Sequence, residues 1–150
     1  MWPVSRTDND DLVEVPLDLH DLSGQLVGMA RAALPHEVCG LLVGPAAIDW
    51  HSSEPIVVSG VERVRNAAES PTRFVLDPEP MLAVERTVDE AGLVVVGVMH
   101  SHPTREARPS TSDLADAAMY DPLAFYVQVI ISMQGFAPTI RAWRYPTKGD

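Results

Sequence analysis

The chain has 150 residues, 21 acidic against 11 basic side chains, a formal net charge of −10 and 46% hydrophobic content. That length and apolar share suffice for one packed domain and exclude a chain disordered throughout. The acidic balance disfavours nucleic-acid partners, whose phosphates call for Lys and Arg, and the longest apolar runs, 93–99 and 127–133, fall far short of the roughly 20 residues of a membrane-spanning helix.

Residues 1–10 are polar and acidic, unlike a signal peptide, and read as a flexible leader; 146–150 read as a flexible tail. That leaves 11–145 as the domain, with a cytoplasmic location expected. Residues 12–17 fit a short strand. From Asp18, the positions Leu19, Leu22, Leu26, Met29, Ala30, Ala33 and Leu34 recur at helical spacing until Pro35. The apolar run 37–43, closed by Gly44-Pro45, fits a buried strand. Two further strands are expected at 56–64 and 72–76, around an irregular stretch at 66–71. Asp77-Pro78 has the chemistry of a helix start and Gly92 of its end. The Val-rich run 93–99 reads as a strand buried on both faces. A loop follows at 103–109, then a helix over 112–120 that stops before Pro122. Strands over 125–133 and 139–145, parted by Gln134-Gly135, complete a mixed α/β (α+β) order of elements.

The chemistry concentrates in one segment, VMHSHPTREARPSTSD. His100 and His102, two apart at a strand end, point to one face, and Ser110 and Asp113, three apart at a helix start, also share a face. A loop of seven residues can fold the helix start over the strand end, so two imidazoles and one carboxylate converge. The single Cys39 rules out a disulfide within the chain or a zinc knuckle, which leaves His and carboxylate as the ligand types. Three N and O ligands with one open position describe a catalytic zinc site, where the pKa of water drops to about 7. Glu37, at the start of an apolar run, is the candidate to take the proton of the attacking water and pass it to the leaving group. Ser110 is the candidate donor to the developing oxyanion.

Each residue alone has a plainer reading. A His-x-His pair occurs on ordinary strands, Ser110 can be a helix cap, Asp113 a first-turn carboxylate and Glu37 an ion-pair partner. Cys39 reads as a small buried hydrophobe rather than a catalytic thiol. His20, His36 and His51 have no matching partner spacing. The two arginines of loop 104–108 either contact substrate or are solvated, and 66–74 is either a flap that pairs with an extended substrate tail or an ordinary loop.

The joint pattern Glu37, His100-x-His102-Pro103, Ser110, Asp113 resembles the JAMM motif of MPN-domain metalloproteases. EVCGLLVG at 37–44 is similar to the glutamate-bearing strand of that family, and Asn66 with SPTRFVLDP at 70–78 is similar to a segment of its short prokaryotic members. The resemblance implies a single cytidine-deaminase-like domain with a central mixed sheet flanked by helices. It implies one Zn²⁺ on His100, His102 and Asp113, with Glu37 as general acid/base and Ser110 as oxyanion stabiliser. It further implies cleavage after the C-terminal Gly-Gly of a ubiquitin-like or sulfur-carrier protein, and the chain is most similar to the type that releases cysteine from such a carrier. Two other readings stay open: a non-catalytic MPN-type module that binds a carrier tail, and a RadC-like metal-dependent hydrolase. Monomer and homodimer both fit.

Overall fold

A computed structural model of the chain describes residues 11–147; the expected leader and the last three residues of the expected tail lie outside this range. In chain order the elements are β1 (Val13–Glu14), β2 (Leu17–Asp18), α1 (Ser23–Ala33), β3 (Cys39–Gly44), β4 (Ile56–Val57), β5 (Gly60–Val64), α2 (Pro78–Glu90), β6 (Val94–His102), α3 (Thr111–Tyr120), β7 (Val127–Ser132) and β8 (Thr139–Arg144). Six strands form one sheet in the order β1-β8-β7-β6-β3-β5. Within it β6 and β7 run parallel and the other neighbours antiparallel. The molecule is thus a mixed α/β domain with a central mixed sheet. Among the described residues no helix is long and apolar enough to cross a membrane.

Several expected elements divide. The strand expected at 12–17 becomes two, because Pro16 has no N–H to donate and the chain changes partner there: Val13 pairs with Arg144, whereas Leu17 pairs with Ile56. The first helix begins at Ser23 rather than Asp18, since Asp18 lies in β2 and its carboxylate accepts from the His20 N–H at 3.0 Å. Leu19 and Leu22 still pack into the core, from the turn before the helix. The expected strand 56–64 also splits: Val58 N–H donates to Asp18 O, and Ser59 N–H to Val43 O, so β4 follows β2 while β5 follows β3. The strand expected at 72–76 is absent, apart from one bridge between Asn66 and Leu76. The Asn66 side chain takes up the backbone groups a ladder would use, donating to Arg73 O and accepting from Val75 N–H.

The two faces of the sheet carry different helices. Leu26 and Ala30 of α1 pack with Leu42, Met99, Val129 and Ile131 on one face. On the other, Met81 and Val84 of α2 meet Cys39, Leu41 and Val98, and Leu114 and Ala117 of α3 meet Ile130 and Trp143. A bulge between β3 and β6 sets which face the histidines take: Leu42 pairs with Gly97, but Val43 pairs with Val95. One extra residue in β6 resets the alternation, so Val94 and Val96 share the α1 face with Met99, while Val98 takes the other.

Gly97 sits where Val127 of β7 crowds β6. A Cβ there would lie 2.5 Å from both Val127 O and Val127 Cγ1. Gly97→Ala is therefore expected to lower stability by about 1–3 kcal/mol, the usual cost of overpacking, read as a lower urea midpoint at unchanged slope.

Candidate metal centre and active site

β6 brings His100 and His102 to the same end of the sheet, between β3 and β7, with both residues fully buried. α3 supplies the carboxylate through its own N-terminus. Ser110 caps the helix: its Oγ accepts from Asp113 N–H at 3.1 Å, and Asp113 Oδ2 accepts from Ser110 N–H at 2.9 Å. This reciprocal box satisfies two N–H groups of the helix start and fixes the Asp113 carboxylate. The same Oδ2 lies 3.2 Å from His100 Nε2 and 3.0 Å from His102 Nε2, and the two Nε2 atoms are 3.1 Å apart.

The loop between strand and helix is tied down along its length. Gln134 Nε2–H donates to Thr104 O, Ser132 Oγ–H to Arg105 O and Trp143 Nε1–H to Ala107 O. His102 Nδ1 is 2.8 Å from Glu106 O, so it holds the proton and turns the Nε2 lone pair toward the centre. Phe74 stacks on the His100 ring, with centroids 4.3 Å apart and planes 21° apart, and closes the other side.

Three lone-pair atoms at such distances repel unless a proton or cation lies among them. Their separations of 3.0–3.2 Å come close to the roughly 3.3 Å expected between ligands of a tetrahedral ion with bonds of about 2.0 Å. His100, His102 and Asp113 are thus a cluster that could hold a metal ion, all three buried. Electrostatics agree with that use. Burial drives His100 toward its neutral, ligating form. For Asp113, burial pulls upward but is outweighed by the imidazoles and the Ser110 N–H, which hold the carboxyl well below its ordinary range.

Glu37 stands just before β3 and is 1% exposed. Its backbone is fixed from both sides, with N–H donating to Ser70 O and O accepting from Asn66 Nδ2–H at 3.1 Å. Arg105 Nη2–H donates to Glu37 Oε2 at 3.1 Å, while Oε1 is buried without a protein partner. Burial, and next the charge of Asp113, push this carboxyl up to about 8 from 4.5, against the pull of Arg105. A carboxyl that exchanges its proton near neutral pH suits general acid/base work. It also makes a thermodynamic prediction for the metal-free protein. Between pH 4.5 and about 8 the folded state keeps a proton that the unfolded chain has lost, so stability falls as pH rises across that window. The fall is expected to be on the order of a few kcal/mol, and Glu37→Gln should flatten it in urea titrations at pH 5 and 8.

The fold therefore brings His100, His102, Ser110 and Asp113 together and sets Glu37 near enough for Asp113 to act on its charge. Cys39 is buried, its Sγ–H reaching Val64 O at 3.4 Å, and burial pushes the thiol up to about 12, which makes it a packed side chain rather than a nucleophile. His20, His36 and His51 are exposed. Sequence reasoning did not anticipate the Arg105 contact with Glu37, the Phe74 stack, or Ser101, whose Oγ accepts from Val38 N–H at 2.8 Å and anchors the residue after Glu37. An Asn at the head of an irregular stretch was the available signal for Asn66, which makes four hydrogen bonds to backbone.

Residues 20–145 match the family described as prokaryotic homologs of the JAB domain. The chain belongs to this family. A relative named CysO-cysteine peptidase, from Mycobacterium tuberculosis, is 38% identical to this JAB-domain chain over 109 residues, covering 73% of the chain and 68% of the relative. A relative named desampylase, from Haloferax volcanii, is 33% identical over 102 residues, covering 67% and 66%. The solution structure of a Desulfitobacterium hafniense protein superposes with a TM-score of 0.69 at 29% identity, covering 87% of this chain and 88% of that one. Relatives of this kind support a JAB-type peptidase, a hydrolase, carrying a cluster that could hold a metal.

Proposed function

We propose that residues 11–145 form a cytoplasmic zinc peptidase that hydrolyses the bond after the C-terminal Gly-Gly of a small sulfur-carrier or ubiquitin-like protein, releasing cysteine or another tail-linked group. The observation that carries this reading is the convergence of His100 Nε2, His102 Nε2 and Asp113 Oδ2 with the buried, unpartnered Oε1 of Glu37. The donor set, two neutral imidazoles and a carboxylate, fits zinc, which when bound supplies Lewis-acid polarisation and hydroxide at neutral pH.

The chain's own residues handle everything else. Glu37 takes the proton of the attacking water and delivers it to the departing nitrogen, so that carbonyl carbon gains oxygen as the C–N bond breaks. Ser110 Oγ accepts from Asp113 N–H, which leaves its own proton to donate to the carbonyl oxygen as charge builds there. Ser110 Oγ also lies 3.1 Å from Ser112 Oγ, a contact in which either hydroxyl can donate. The stretch 66–74, held to Glu37 through Asn66 and Ser70, would guide the extended tail.

The test is incubation of the zinc-loaded protein with Gly-Gly carrier conjugates, one α-linked to cysteine and one ε-linked to lysine, with mass analysis of the products. Cleavage of either after the terminal glycine is expected; both remaining intact would overturn the proposal.

A further inference from the structure

Beside the centre a cavity of about 390 Å³ opens among Arg105, Glu106, Arg108, Ser110 and Gln134. Ser110 belongs both to this cavity and to the capping box around Asp113, so the cavity begins where a scissile carbonyl would sit. It is cationic in a chain whose net charge is −10. Its one carboxylate, Glu106, acts electrostatically on Arg141 of β8.

Both arginines have donors to spare. Arg105 uses Nη2 for Glu37 Oε2 and for Thr72 O at 3.2 Å, which leaves Nη1 and Nε. Arg108 lies over the Trp143 ring, 5.3 Å from its centroid, and its charge acts on Glu14 of β1, but among the described residues its guanidinium N–H groups make no hydrogen bond. The loop that bears them is bonded to β6, β7, β8 and the turn after β7, so the guanidinium roots do not need to be ordered when a ligand arrives. Two guanidinium groups on a pinned loop are the chemistry that recognises a carboxylate.

We infer that the Arg105–Arg108 cavity binds the free α-carboxylate of a single amino acid in the leaving-group position. This rests on the proposed peptidase reading and names its substrate class. The C–N bond after the terminal glycine is hydrolysed, the nitrogen takes a proton, and the amino acid departs with its carboxylate still paired to arginine. An ε-linked lysine within a protein offers no free carboxylate one residue from the scissile bond. The cavity therefore favours a carrier ending in one α-linked residue over an isopeptide conjugate.

Two measurements test this on the zinc-loaded protein. In the first, kcat/KM is compared for a Gly-Gly carrier extended by one alanine as the free acid and as the C-terminal amide. The acid is expected to be preferred at least about tenfold, and Arg108→Gln to bring the ratio near one; equal rates in the wild type, or an unchanged ratio in the variant, would overturn the inference. The second needs no turnover: N-acetylalanine, but not its amide, should shift the backbone amide resonances of 104–110, and Arg108→Gln should abolish the shift. Binding with this dependence, in a protein that cleaves neither substrate, would uphold the cavity and sink the peptidase reading; absence of binding together with cleavage would do the reverse.

Discussion

Zinc-loaded protein carrying Glu37→Gln is expected to lose about 10²–10⁴ of its cleavage rate, the usual share of a positioned acid/base, while keeping one zinc per chain. The substitution is close to isosteric in a site 1% exposed, and its amide oxygen can still accept from Arg105. What disappears is the ability to hold a proton at Oε1, the buried atom without a protein partner. The loss should fall on kcat rather than KM, because the substrate is bound elsewhere. Zinc content separates this outcome from damage to the metal site. A variant that retained the wild-type rate would remove Glu37 from the proton path.

Asp113→Asn is expected to divide the two duties of that residue. Asparagine Oδ1 can still accept from Ser110 N–H, now donated to Asp113 at 2.9 Å, so the cap of α3 survives. The negative charge between two imidazoles, at 3.0 and 3.2 Å, does not. In the wild type, free zinc at 1,000 times its dissociation constant should stabilise the fold by about 4 kcal/mol, read as a rise in Tm; the variant should show little of that rise and a rate at least about 10²-fold lower. If Tm without zinc is unchanged, the cap is intact and the loss belongs to the metal site. A full zinc-dependent rise in the variant would remove Asp113 from the ligand set.

The parts of the site that sequence reveals are those set by local periodicity. His100 and His102 share a face because a strand repeats every two residues, and Ser110 meets Asp113 because a helix start repeats every three to four. The parts it hides depend on chain segments far apart. Residues 93–99 carry no polar alternation, so apart from Gly97, which fits a bulge or a close approach equally, the segment does not show that Val96 and Val98 take opposite faces. Arg105 reaches Glu37 across 68 positions, and Phe74 reaches His100 across 26, through contacts that only the folded sheet creates. The strand breaks at Pro16 and at Val58-Ser59 fall where the chain changes partner strand, and which strand a residue pairs with is not written in the residue itself. Asn66 replaces an expected strand with side-chain bonds to backbone, an outcome that composition alone leaves undecided.

The most direct measurement is mass analysis of a Gly-Gly carrier–cysteine conjugate after incubation with zinc-loaded and with chelator-treated protein. The expected result is release of cysteine after the terminal glycine in the zinc-loaded sample alone. An intact conjugate in both samples, or equal cleavage in both, would contradict a zinc peptidase built on His100, His102 and Asp113.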